Sequence, residues 1–170
     1  MTEYEFSLVL ERDPDDAQTE AIAGNVPSVT GLEGGGPVPL AHVVIDAANF
    51  ATAVNSTVQQ IEACGALVVG LQTDDLISIK EIATRTGRSR ESARLLATGK
   101  RGPGGFPSPV SPEPWSLYSW TEVGGWFSEH FPEQDFDLDR QATAADHFLR
   151  GRHIIRKEPN ADAWAQLLSI

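Results

Sequence analysis

Residues 4–11, YEFSLVLE, alternate along the chain, with Tyr4, Phe6, Leu8 and Leu10 on one side and Glu5, Ser7 and Glu11 on the other. A period of two predicts a half-buried strand. Asp13 then stands as an N-cap, Pro14 fills the first helical position, and acids follow in the first turn. That order predicts a short helix, closed by Gly24 and Asn25. An extended run over 27–33, a Gly-rich turn at 34–37 and LAHVVID at 40–46 predict a hairpin. Phe50, Val54, Val58 and Ile61 recur at the spacing of an amphipathic helix, and Gly65 stops it. The run ALVVGLQ at 66–72 predicts a buried strand. The order β-α-β-β-α-β predicts a ferredoxin-like domain over residues 1–75.

Beyond a polar joint at 73–76 the pattern becomes helical. Ser78 with Glu81 three residues later forms a capping box that opens a helix. Gly87 breaks that helix, and Ser89 caps the next, RESARLLATGK. FPSPV at 106–110 and SLYSW at 116–120 predict short extended runs about a Pro-rich tip that carries Glu113. Thr121 is placed to cap a third helix over 121–131, which Gly124 and Gly125 weaken by about 1 kcal/mol each relative to Ala. Residues 132–170 predict an acidic link and two helices, with Phe148, Leu149, Trp164 and Leu167 as packing residues.

Charge sharpens this division. The chain carries a formal net −11, yet residues 80–101 hold seven of its thirteen Lys and Arg and only two acids, Glu81 and Glu91. Residues 1–76 hold one Arg and twelve acids. One small basic patch in an acidic protein points to a polyanionic partner met at that patch.

The same patch has helix-turn-helix spacing. Ile82 and Ala83 supply the contact between two helices, Gly87 supplies the turn, and Ala93 and Leu96 hold the second helix inward. Arg88 departs from this pattern, which usually has an apolar residue there; its stem suits the core edge and its head a phosphate. Downstream, Tyr118, Glu122, Val123 and Trp126 form an aromatic-x-x-x-Glu-Val-x-x-Trp pattern. With Ser89, Arg90 and Ser92 at the helix start, residues 76–131 resemble the winged helix-turn-helix of the MerR-type and excisionase-like families. The resemblance implies a winged helix-turn-helix over these residues, and places Ser89, Arg90 and Arg94 toward the major groove. Helical spacing agrees, putting Arg90 and Arg94 four apart, away from Ala93 and Leu96. Arg there suits guanine O6 and N7. Lys80, Arg85, Arg88, Lys100 and Arg101 are candidates for backbone phosphates, which set affinity and register. Glu91 reads as a cap ornament rather than a base contact.

The expected fold class is therefore α+β, a ferredoxin-like βαββαβ domain followed by a winged helix-turn-helix and C-terminal helices. Its expected function is that of a DNA-binding transcriptional regulator, not an enzyme, acting on double-stranded DNA as a homodimer. The rivals are an excisionase-like recombination factor, an antitoxin repressor, or a protein-interaction adaptor. The lone Cys64 makes no internal disulfide, no Cys/His group has zinc spacing, and no apolar run approaches the ~20 residues of a membrane span. These features predict a cytoplasmic protein without metal or cofactor. His42, His130, His147 and His153 read as structural or surface residues, Asp74–Asp75 and Asp135–Asp137–Asp139 as solvated joints, and GPGG at 102–105 as a turn.

Overall fold

Strand β1 (Thr2–Leu10) lies inside a four-stranded antiparallel sheet, between β3 (Leu40–Ala47) and β4 (Val68–Leu71), with β2 (Val29–Glu33) outside β3. The computed structural model describes residues 1–111, 114, 116–134, 136 and 138–164. Seven helices and a second, two-stranded sheet complete an α+β protein among these residues. The chain divides into two compact units, one of Met1–Gln72 with Ala144 onward, the other of Thr73–Thr143.

In the first unit the alternation of β1 holds through Leu8, with Phe6 and Leu8 buried and Glu3 and Glu5 exposed, and ends at Leu8–Leu10, where Val9 is buried as well. Tyr4 and Phe6 meet Phe50 edge-on, so this face of the sheet packs on α2 (Phe50–Ala63). Phe50, Val54, Val58 and Ile61 are all buried, as their spacing requires. Helix α1 (Asp16–Asn25) starts later than the sequence predicts, and Asp15 rather than Asp13 is its cap, in a capping box with Gln18. The physical reason is a competing tertiary bond. The Asp13 carboxylate instead accepts from the Gly35 backbone N–H at 3.0 Å, in the turn between β2 and β3.

Helix α6 (Arg140–Ile155) runs along the outer edge of β4 from Ala144 onward. Asp146 accepts from the Leu71 N–H at 2.8 Å, and Arg152 donates to the Val68 carbonyl at 3.3 Å. Side chains thus satisfy backbone groups that an edge strand would otherwise present to another chain. Leu149 is buried as predicted, but Phe148 is 61% exposed and Trp164, in the short α7 (Ala161–Trp164), 43% exposed. Both were expected as packing residues; Phe148 points outward because the inward face of α6 is set by Asp146, Leu149 and Arg152.

In the second unit, β5 (Leu76–Ser78) leads into α3 (Ile79–Arg85) and α4 (Arg90–Ala97), and β6 (Leu117–Ser119) leads into α5 (Trp120–His130). Ile77, Ile82, Ala83, Ala93, Leu96, Tyr118, Val123, Trp126 and Phe127 form one core. Phe106 adds edge-on contacts to Tyr118, Trp126 and Phe127. The strand expected over 106–110 does not form. Pro107 and Pro109 have no N–H to give a ladder, and a single backbone bond, Val110 N–H to Leu117 carbonyl at 2.8 Å, joins this run to β6. The partner of β6 is β5, with Ile77 opposite Tyr118.

Two further expectations give way to tertiary contacts. Ser119, not Thr121, caps α5, and the Thr121 N–H instead donates to the Asp75 carboxylate at 2.7 Å. Asp75 is therefore 5% exposed and not part of a solvated joint. Within the acidic link, Phe136 meets Trp120 edge-on, and Leu138 occupies the space where a side chain at Gly124 would lie. Glu113, Trp115, Asp135, Asp137 and Leu167 lie outside the described residues.

Candidate nucleic-acid interface

Helix α3 ends in a complete Schellman motif. Gly87 takes φ +64°, its N–H reaches the Thr84 carbonyl, and the Arg88 N–H reaches that of Ala83 at 2.9 Å. The Thr86 hydroxyl, buried, donates to the Ile82 carbonyl. This turn sets the start of α4 against α3. Ser89 caps α4 by accepting from the Ser92 N–H at 3.1 Å, so its oxygen is engaged by the helix start. The end of α4 repeats the motif through Gly99, with the Lys100 N–H on the Leu95 carbonyl.

The seven bases of the patch fall into three groups. Lys80, Arg90, Lys100 and Arg101 are exposed and form no ion pair among the described residues. Arg85 and Arg88 lie over aromatic rings: Arg85 is 5.1 Å from Trp120, and Arg88 is 4.4 Å from Phe131 and 5.3 Å from Phe127. Arg88 is half-buried, which explains a charged residue where the helix-turn-helix pattern is apolar: ring faces replace the usual hydrophobic contact. Arg94 makes a bidentate pair with Glu91, Nε to Oε2 at 2.9 Å and Nη2 to Oε1 at 2.6 Å. That hydrogen bond lowers the Glu91 pKa and raises that of Arg94. Glu91 is thus a partner of Arg94 rather than a cap. At the start of α3 the capping carboxylate is Glu81, as the sequence predicts, and bonds from the Ser78 backbone and hydroxyl hold it below the ordinary range.

Lys80, Arg90 and Arg94 border one groove of about 440 Å³ between the start of α3, α4 and β6, with Ala97, Thr98 and Tyr118 also lining it. Sequence spacing singled out the bases but not Thr98, and it marked Tyr118 only as part of the aromatic pattern, not as a neighbour of the bases. Tyr118 enters only because β6 pairs with β5, and a three-residue strand leaves little periodic signal.

The first unit carries a polar row that the sequence also concealed. Ser7 Oγ and His42 Nδ1 are 2.9 Å apart, and His42 Nε2 is 3.3 Å from Glu33. Sheet register brings them together, since Ser7 lies opposite His42 on adjacent strands. The row stands on a sheet surface with Glu33 65% exposed, which makes it a cross-strand polar contact of the ordinary kind. Among the described residues no group of three or more His, Cys, Asp or Glu is placed to hold a metal ion, and no helix is long and apolar enough to cross a membrane. No protein-family model matches the chain, and neither a curated protein nor a solved structure matches it significantly.

Proposed function

We propose that the protein is a sequence-specific double-stranded DNA-binding protein, a cytoplasmic transcriptional regulator whose second unit is a MerR-like or excisionase-like helix-turn-helix. One observation carries the reading: a Gly87-centred turn joins two short helices, and Lys80, Arg90, Lys100 and Arg101 stand exposed on and beside them, in no ion pair among the described residues. Those four bases suit backbone phosphates, Arg90 by its place on the flank of α4 rather than at the guanine edge that the resemblance implied, and α4 suits the major groove. The sheet order β2-β3-β1-β4 supports a ferredoxin-like first unit, whose acid excess suits sensing or dimerisation rather than DNA contact. A single helix-turn-helix reads few bases, so the working form is a homodimer on half-sites about 34–36 Å apart.

The adaptor reading is favoured by a different observation, that Arg85, Arg88 and Arg94 are already engaged within the protein. Titration of full-length protein on random-library DNA separates the two. Four neutralised phosphates per subunit give a log–log salt slope of about −3.6, so a fourfold rise in salt weakens binding roughly a hundredfold. Lys80→Ala flattens that slope by about one unit on every duplex. An empty selection at low salt, or a slope near zero, favours the adaptor.

A further inference from the structure

Glu91, on the outermost line of α4, is already bound to Arg94 beside it. At about 100° per residue, Glu91 and Thr98 fall opposite the buried Ala93 and Leu96, with Arg94 beside them and Arg90 on the flank. A surface that meets α4 head-on therefore meets the Glu91–Arg94 pair. We propose that Glu91 and Arg94 act together as one reading head for a single G·C base pair in the major groove, Arg94 gripping guanine and Glu91 accepting from the paired cytosine. This inference rests on the DNA-binding reading above.

The chemistry follows from which edges are used. The pair engages Arg94 along its side, through Nε and Nη2, each on one oxygen of Glu91. A guanidinium has five N–H donors, so the end-on fork of Nη1 and Nη2 remains open. Next to Nη2 stands Oε1 of Glu91, with a lone pair left to accept. The head thus presents donor, donor, acceptor in a row. A G·C pair presents guanine N7 and O6, two acceptors, then the cytosine N4 amine, a donor. The rows match position by position. An A·T pair presents acceptor, donor, acceptor, which opposes like to like at two positions, and a C·G pair reverses the row. Glu91 also holds a flexible Arg in one arrangement before contact, which lessens the ordering that binding would otherwise require.

The test uses the full-length protein and the variants Glu91→Ala and Arg94→Ala, whose side chains are exposed. Wild type should select a motif with one G·C position per half-site, favoured over A·T by roughly five- to a hundredfold. Both variants should lose preference at that same base pair. Replacing its cytosine by 2-pyrimidinone, which lacks the exocyclic amine, should weaken wild type about tenfold more than it weakens Glu91→Ala. The proposal is overturned if Glu91→Ala keeps the preference, tightens binding on every duplex alike, or loses as much as wild type to 2-pyrimidinone. Wild type binding no duplex at low salt is a separate result, which removes the DNA-binding reading and this inference with it.

Discussion

The guanidinium of Arg88 stands 4.4 Å from the centre of the Phe131 ring, tying the turn after α3 to the end of α5. A charge that follows a glycine turn between two helices in a basic run invites assignment to DNA, but here its head faces aromatic rings of its own unit. Arg88→Ala is expected to lower stability by about 1–2 kcal/mol in urea titration, while leaving the salt slope of DNA binding unchanged. A slope flattened by a full unit would put the head on a phosphate instead.

Asp146 fastens a helix to a strand 75 residues earlier in the chain, through the Leu71 N–H. It also pairs with Arg150 at 2.8 Å. Asp146→Ala leaves a buried N–H without an acceptor and is expected to cost about 1.5–3 kcal/mol. Amide exchange gives the sharper check, because Leu71 should lose protection more than Gln72, whose N–H is held by the Ser7 carbonyl.

Glu62 joins α2 to α6 by accepting from Arg152 at 2.7 Å and Arg156 at 2.8 Å. Burial works against its ionisation, but the Arg156 hydrogen bond, the charges of Arg152 and Arg156, and a bond from the Val68 backbone outweigh it. Its carboxyl therefore titrates below the ordinary value of 4.5. A depressed folded value means a contribution present above the unfolded value and lost as pH falls through the folded one. Denaturant midpoints of wild type and Glu62→Gln should differ most near neutral pH and converge in acid. A gap that is constant with pH would mean that the pair contributes through packing alone.

Gly87 has a positive φ of 64°, and nothing lies within 4 Å of where a Cβ would be added. Any penalty for Gly87→Ala is then conformational, about 1–2 kcal/mol. Thermal unfolding of this variant measures the turn itself, free of packing loss. No change in midpoint would show that the turn relaxes to another backbone conformation.

Within the site, both helix starts and the end of α3 were legible because they are local. The Ser78–Glu81 box closes over three residues, and Gly87 is the residue type that a left-handed helix end favours, whereas α4 stops at Ala97, short of the run through Lys100 that the sequence predicts, because Gly99 takes that conformation. The positive run was equally legible, but the availability of each charge was not. Arg85, Arg88 and Arg94 look alike in sequence, and only the positions of Trp120, Phe131 and Glu91 distinguish them. Glu91 lies three residues from Arg94, so the pair was within reach of helix spacing, yet spacing does not choose a rotamer.

By itself the chain determined what depends on near neighbours. The alternation of β1 set its buried face, the spacing from Phe50 to Ile61 set that of α2, and Ala93 and Leu96 set the inward side of α4. Tertiary structure decided where polar groups spend their hydrogen bonds. Asp13 left the start of α1 for Gly35, Asp75 left a polar joint for Thr121, and Asp146 reached back to Leu71. A carboxylate binds whichever N–H the fold leaves unpaired nearby, and that N–H belongs to a segment distant in sequence. The two prolines in 106–110 prevented one strand by local chemistry, but the choice of β5 as the partner of β6 required the start of the second unit to meet a segment far along its chain.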